Sequence, residues 1–130
     1  MIVCVDSSVW IALLRGHSTP EVARLRAIEP PDAIVIGDLI LLEVLQGARD
    51  EAHAARIERN LRAFPIEPVL TEARAVGAAA LYRRLRARGI TIRRTIDLAI
   101  GAFCRERGYA LLHADRDFTL MAEELGLRSA

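Results

Sequence analysis

The chain contains no lysine, so all 18 of its basic residues are arginine. This absence argues against phosphate-binding loops that end in lysine, against Schiff-base enzymes and against phosphoacceptor domains that rely on a lysine. Cysteine is scarce as well: Cys4 and Cys104 each lie in an apolar segment, with no second cysteine or histidine at ligand spacing. They predict two small buried side chains and neither a disulfide scaffold nor a zinc site.

Long apolar runs are also missing, although hydrophobic residues make up 52% of the 130 residues and the mean hydropathy is +0.22. No run approaches the roughly 20 residues of a membrane-spanning helix, and Asp6 interrupts the N-terminal run where a signal peptide would have its apolar core. The length fits one domain, residues 1–130. We therefore expect a cytoplasmic single-domain protein with no membrane contact, whose apolar residues form a buried parallel sheet.

Short apolar runs alternate with segments of helical periodicity along the whole chain. Strands are predicted at 2–6, 33–37 and 109–114, with at best a short edge strand around residue 66, and helices at 8–16, 19–29, 39–47, 50–64, 71–89, 95–108 and 117–126. The predicted helix caps are Thr19, Asp38, Thr71, Thr95 and Asp117. This alternation predicts a three-layer α/β/α sandwich around a mainly parallel central sheet.

Acidic side chains lie where the predicted strands end, which is the edge where such sheets bind ligands. Asp6 ends the first strand, Asp115 and Asp117 follow the last, and Asp97 lies in a first helical turn. Each has a simple structural alternative as a cap, a turn residue or a partner of the helix dipole. Glu43 is harder to explain, because it lies on an otherwise apolar helix. A carboxylate buried there needs an arginine or a metal ion beside it.

Converging carboxylates repel one another unless a cation joins them, and Mg²⁺ prefers oxygen ligands. Such a site polarises phosphoryl oxygens and activates water. The stretch between Glu72 and Asp97 contains no acid but has seven arginines: Arg74, Arg83, Arg84, Arg86, Arg88, Arg93 and Arg94. These form either a solvated helix face or a track for substrate phosphates, Arg93 and Arg94 most of all. Acids and arginines together favour a phosphodiester substrate.

Four stretches resemble PIN-domain ribonucleases, and more closely the VapC toxins of bacterial type II toxin–antitoxin modules. They are "IVCVDSSVWIALLRG", "LLEVLQGAR", "RRTIDLAIGAFCRERG" and "LLHADRDF", which together span residues 2–118. The combination of Asp-Ser-Ser-x-Trp-Ile, a Glu before a Gln-Gly helix end, Thr-Ile-Asp and Asp-Arg-Asp-Phe is more specific than a count of acids. The resemblance implies a PIN-like fold.

The resemblance also implies a catalytic site that binds Mg²⁺, or alternatively Mn²⁺, through acidic side chains. Asp6, Glu43 and Asp97 match the three most constant acids of the family, and the fourth falls on Asp115 or Asp117. Asp115 is favoured because it lies nearer the strand end, which leaves Asp117 as a helix cap or an outer member of the metal site. A supporting hydroxyl falls on Ser8 or Ser7, and another on Thr95. The arginines expected to contact RNA are Arg86, Arg93 and Arg94.

The function implied by the resemblance is a Mg²⁺-dependent endoribonuclease that acts as a toxin and hydrolyses tRNA or another structured RNA with metal-activated water. The implied partners are a cognate VapB-like antitoxin and a second copy of the chain. Two alternatives stay open: a PIN-like scaffold that binds RNA or a partner without cutting, and a metal-dependent DNA nuclease. Every acidic position is filled, which favours an enzyme over a scaffold.

Overall fold

A four-stranded parallel sheet organises the chain. In the computed structural model, which describes residues 1–130, the strands are β1 (Val3–Val5), β2 (Ile34–Gly37), β3 (Ile66–Glu67) and β4 (Ala110–Leu112), in the spatial order β3-β2-β1-β4. Every pairing is parallel, and β1 lies between β2 and β4. Every residue of β1, β2 and β4 is buried, which is why these strands are uniformly apolar.

Seven helices flank the sheet and confirm the predicted α/β/α sandwich. Their bounds are α1 (Ser7–Leu14), α2 (Pro20–Arg26), α3 (Asp38–Gln46), α4 (Glu51–Leu61), α5 (Glu72–Ala87), α6 (Thr95–Arg107) and α7 (Arg116–Leu125). Each predicted helix and strand is present, with ends within a few residues of the prediction. The longest helix, α5, has 16 residues, and no helix has the length and apolarity that crossing a membrane requires.

Two of the predicted helix caps are confirmed and three are wrong. Thr19 and Thr71 accept hydrogen bonds from the backbone N–H groups three residues later. Asp38 is instead the first residue of α3, and its Oδ1 accepts a hydrogen bond from the Val69 N–H at 2.9 Å, which ties α3 to the segment after β3. Thr95 is likewise the first residue of α6, and Asp117 is the second residue of α7.

A single apolar core joins the sheet to the helices. Trp10 of α1 is buried against Phe64, with ring centroids 5.4 Å apart. Cys4 in β1 and Cys104 in α6 are both buried free thiols, which confirms the prediction of two small apolar side chains. The parallel pairing of β1 with β4 places their carboxyl ends side by side, which brings together the acids that follow them, Asp6 and Asp115.

Candidate active site

Asp6 is fixed at the end of β1 by both its backbone and its side chain. Its N–H donates to the Leu112 carbonyl at 2.9 Å, which aligns it with the end of β4. Its Oδ2 accepts hydrogen bonds from the Ser8 backbone N–H at 3.2 Å and from Ser8 Oγ at 2.7 Å, so Asp6 also caps α1. The other oxygen, Oδ1, is buried without a hydrogen-bond donor, and the residue is only 4% exposed. Capping the helix therefore uses only one of the two carboxylate oxygens of Asp6.

Glu43 projects from α3 and is buried. Its Oε1 accepts a hydrogen bond from Ser7 Oγ at 3.1 Å, and its Oε2 pairs with the guanidinium of Arg94. One of the two cations that the sequence allowed, an arginine, thus lies beside Glu43. Ser7, named only as an alternative to Ser8, supports Glu43, whereas Ser8 supports Asp6.

Asp97 lies in the first turn of α6 and is 3% exposed. Its Oδ1 is 3.8 Å from Arg94, and its Oδ2 is buried with no hydrogen-bond donor. Burial raises the pKa of Asp97 to about 6; Arg94 opposes the shift, and the charges of Asp6, Asp115 and Glu43 add to it. The other three predicted acids therefore all lie close enough to act on the charge of Asp97.

Burial also raises the pKa of Asp6, and the hydrogen bonds from Ser8 oppose this shift. The nearby charge of Glu43 raises the pKa of Asp6 further. Buried carboxylates with raised pKa values are typical of functional sites, since an ordinary protein surface would hydrate or pair them. Asp6, Glu43 and Asp97 therefore hold more negative charge than Arg94, the one arginine in contact with them, neutralises.

Asp115 and Asp117 form a second acidic pair beside this group. Asp115 caps α7 by accepting a hydrogen bond from the Asp117 N–H at 2.8 Å. The cap is therefore Asp115, which was predicted to be the fourth acid, and not Asp117, which was predicted to be the cap. Arg93 contacts both, at 3.4 Å from Asp115 and 3.3 Å from Asp117, and its backbone N–H donates to Asp117 at 3.0 Å. Asp115 as the fourth acid stays a prediction.

The residues present fit a hard divalent cation, although no three acidic, histidine or cysteine side chains lie close enough together to hold one in this arrangement. The fit rests on two buried oxygens with no hydrogen-bond donor, Asp6 Oδ1 and Asp97 Oδ2. Carboxylate oxygens are the ligands that Mg²⁺ and Mn²⁺ favour. Glu43 and Asp115 are the further carboxylates close enough to influence Asp97.

Known proteins are similar to this chain in sequence and in fold. A family model described as the PIN domain matches residues 3–124. The chain belongs to the PIN-domain family. Among curated PIN relatives, Ribonuclease VapC11 of Mycobacterium tuberculosis is 28% identical over 98% of this chain and 97% of its own length. Ribonuclease VapC51 of the same species is 35% identical over 94% and 86%. The resemblance inferred from the four sequence motifs is confirmed.

A solved structure has the same fold as this chain. VapBC2 from Rickettsia felis, bound to a DNA fragment from its promoter, aligns with all of this PIN domain and 98% of the matched chain, at a TM-score of 0.80 and 16% identity. At this identity the likeness shows the fold alone.

Two of the predicted site residues lie outside the contacts of this PIN domain's acidic site. The exposed Thr95 makes no side-chain hydrogen bond, so its supporting role stays a prediction. Arg86 lies 5.8 Å from the ring of Tyr82, on its own helix, and contacts none of the site carboxylates. Its predicted contact with RNA is likewise untested.

Arg94 is the residue whose position the sequence analysis missed. It was predicted to contact substrate phosphate, but the structure places its guanidinium among the acids. One signal was available in the sequence. Glu43 needs a cation, there is no lysine, and Arg93 and Arg94 immediately precede the helix that carries Asp97.

Proposed function

We propose that this PIN domain is a divalent-metal-dependent endoribonuclease and the toxin of a toxin–antitoxin pair, acting on structured RNA such as tRNA in the cytoplasm. The observation that carries the proposal is the pair of buried carboxylate oxygens without donors, Asp6 Oδ1 at the end of β1 and Asp97 Oδ2 in the first turn of α6. Buried charged oxygens destabilise a fold unless a cation binds them. The printed names of VapC11 and VapC51, both ribonucleases, support RNA as the substrate.

In this proposal each residue has a separate task. Asp6 and Asp97 hold the cation, while Ser8 fixes the carboxylate of Asp6 by donating to its Oδ2. When bound, a divalent cation polarises a phosphoryl oxygen and lowers the pKa of water. In this proposal Asp97 also orients or deprotonates the water, since it lies beside the place where the cation would bind. Glu43, held by Ser7, is the alternative base.

Substrate phosphates would approach the exposed arginines at the mouth of the site. The side chain of Arg93 is 70% exposed and lies beside Asp115 and Asp117, so its guanidinium faces both solvent and the acids. Arginine binds phosphate through paired N–H donors. An Arg93→Ala variant should therefore bind RNA more weakly at all sequences, with a flatter dependence on salt.

The test is cleavage of total RNA and of a tRNA set by the purified protein in Mg²⁺ or Mn²⁺. We expect discrete cuts that EDTA and Asp97→Asn both abolish, and no cuts in DNA oligonucleotides of matched sequence. Equal cleavage of the DNA would identify a DNA nuclease. Binding of RNA with no cleavage in any metal would identify a scaffold, and cleavage that survives EDTA would refute the metal-dependent mechanism.

The proposed protein partner is a VapB-like antitoxin. The fold is that of chains solved in VapBC complexes, and large apolar side chains are exposed on α1 and α3, namely Leu14 and Leu42. Expression of the chain in bacteria should arrest growth, and co-expression of its VapB-like antitoxin should restore it. Arrest by the Asp97→Asn variant would separate toxicity from the acidic site and contradict the proposal.

We also propose that the protein is a homodimer. An apolar groove of about 390 Å³ lies between α5 and α6, where its lining includes Ala75, Ala79 and Leu98, and Val76 nearby on α5 is largely exposed. A second copy of the chain would cover this surface. Light scattering should give twice the chain mass of 14.4 kDa, and a mass of one chain at micromolar concentration would contradict the dimer.

A further inference from the structure

Arg94 contacts two of the buried acids of the site. Its guanidinium donates to Glu43 Oε2 and lies 3.8 Å from Asp97 Oδ1. No other arginine or histidine lies within 4 Å of either carboxylate, and none lies within that distance of Asp6. These contacts raise the pKa of Arg94, chiefly through the hydrogen bond to Glu43, so it remains charged. Arg94 is therefore the only basic side chain within 4 Å of any of these three buried acids.

The neighbouring arginine provides a contrast. Arg93 pairs with Asp115 and Asp117, which already receive backbone N–H donors: Asp117 N–H donates to Asp115, and Arg93 N–H donates to Asp117. Losing the Arg93 side chain therefore leaves both acids with hydrogen bonds. Losing Arg94 leaves Glu43 with Ser7 alone and Asp97 with no cation nearby. The carboxylates beside Arg94 therefore depend on its side chain more than those beside Arg93 depend on theirs.

The side chain of Arg94 is also able to move away from the carboxylates that it contacts. Its side chain is 54% exposed, whereas the carboxyl groups that it contacts are almost completely buried. A guanidinium at the mouth of a buried acidic pocket can swing into water without opening the core, because its stem is long and flexible. A divalent cation that uses the same carboxylates cannot share them with the guanidinium, since like charges at such distances repel strongly at low dielectric.

We infer that Arg94 is a built-in counter-cation, which holds Glu43 and Asp97 in the metal-free protein and must release Glu43 before the site takes up a divalent cation. The inference rests on the proposed function, because it takes these carboxylates as the metal site. It makes Arg94 a positioning residue that sets metal affinity. Once released, the guanidinium lies at the mouth of the site, where substrate phosphate would arrive.

The test measures Mn²⁺ affinity directly, by the electron paramagnetic resonance signal of free Mn²⁺ over EDTA-treated, dialysed protein. Arg94→Ala and Arg94→Gln should each bind Mn²⁺ about 10-fold more tightly than the parent, a difference in the range of ordinary coupling between sites. Arg94→Gln keeps hydrogen-bond donors without the charge, which separates competition from loss of folding. Arg88→Ala, which removes an exposed pair with Glu124, is the matched control and should leave the affinity unchanged.

The outcomes separate this inference from the proposed function. If the parent binds Mn²⁺ and both folded Arg94 variants bind it equally or more weakly, Arg94 is not a counter-cation, although the proposed function stands. If neither the parent nor the Arg94 variants bind Mn²⁺ and no RNA is cut, the inference and the proposed function both fail. Binding by Arg94→Ala that Asp97→Asn removes would confirm that the cation and Arg94 use the same carboxylates.

Discussion

Two clusters of this PIN domain combine carboxylates with arginine and differ in how their charges are satisfied. In the first, Glu67 at the end of β3 accepts a hydrogen bond from Tyr109 Oη at 2.6 Å and pairs with Arg107 at 3.2 Å, while Arg107 also donates to the tyrosine oxygen. No buried polar atom of this cluster lacks a partner. In the second, at the strand ends, Asp6 Oδ1 and Asp97 Oδ2 are buried without donors.

From this difference we predict that the Glu67 cluster is structural and that the strand-end cluster is the one suited to chemistry. A satisfied network stabilises a fold by the modest amount that hydrogen bonds usually contribute. A group of buried acids with too few donors destabilises it, and such groups persist where a ligand or a reaction uses them. We therefore expect opposite results when a charge is removed from each cluster.

The largest expected effect comes from replacing Asp6 with asparagine. Asparagine caps a helix as well as aspartate does, so α1 should persist. RNA cleavage should fall at least about 100-fold, because a ligand charge is lost, while the unfolding temperature of the metal-free protein should rise because a buried charge has been removed. Cleavage assays and thermal unfolding in EDTA measure the two changes.

Glu67→Gln is the matched variant in the other cluster. It should leave cleavage unchanged and lower the free energy of unfolding by about 1 kcal/mol, since Arg107 loses its ionic partner. Equal loss of cleavage in both variants would remove the distinction between the clusters.

The next effect concerns the pH dependence of stability. The pKa of Asp97 is raised from an ordinary 3.8 to about 6 in the fold, so the folded state binds its proton more tightly than the unfolded state does. The stability due to this group is present below about pH 4 and is lost as pH rises through 6. In EDTA, the free energy of unfolding of the parent relative to Asp97→Asn should fall by about 2–3 kcal/mol between pH 4 and pH 7.

Urea unfolding at a series of pH values measures this slope. Saturating Mn²⁺ should abolish it, because a cation favours the ionised carboxylate. Parallel pH profiles for the parent and Asp97→Asn would show that Asp97 has an ordinary pKa and that the strand-end cluster is not short of positive charge.

A smaller effect is expected at Ser8, whose hydroxyl donates to Asp6 Oδ2 at 2.7 Å. Ser8→Ala should reduce cleavage about 5- to 10-fold and lower the free energy of unfolding by about 1 kcal/mol, as loss of one typical hydrogen bond does. Ser18→Ala, at an exposed serine without side-chain hydrogen bonds, is the control. Identical cleavage by the two variants would show that Ser8 does not hold Asp6 in place.

The smallest effect is expected at an ordinary surface ion pair. Arg62 pairs with Glu58 one turn earlier at 2.7 Å, with the side chains 62% and 45% exposed. Arg62→Ala should change the free energy of unfolding by no more than about 0.5 kcal/mol and leave cleavage unchanged. A larger loss in chemical unfolding would mean that arginine pairs stabilise this protein regardless of burial.

Much of the fold could be predicted because its signals are local. Apolar runs such as "IVCVD" end at acids, and helices begin at residues such as Thr19 and Thr71, whose side chains bond to nearby backbone. The wrong caps have a tertiary cause. Asp38 accepts a hydrogen bond from the N–H of Val69, 31 residues away, and Asp117 accepts one from the N–H of Arg93, 24 residues away, while Asp115 caps α7.

In the candidate site, too, some features could be predicted from the sequence and others depend on tertiary contacts. The approach of Asp6 and Asp115 follows from the parallel strands β1 and β4, which end at one edge, so it was visible in the sequence, whereas Asp97 reaches the same region from the first turn of α6. The position of the Arg94 guanidinium was not, since a flexible side chain chooses between solvent, phosphate and carboxylate only after the fold has formed. Sequence identified the need of Glu43 for a cation but not which arginine supplies it.

The most direct test of the account is the anomalous difference map of a crystal grown with Mn²⁺. We predict a strong peak beside Asp6 and Asp97, next to the two oxygens that have no donor, with Arg94 turned away from Glu43. A map at saturating Mn²⁺ without a peak at these acids, and with Arg94 still on Glu43, would contradict the claim that the strand-end carboxylates form a metal site.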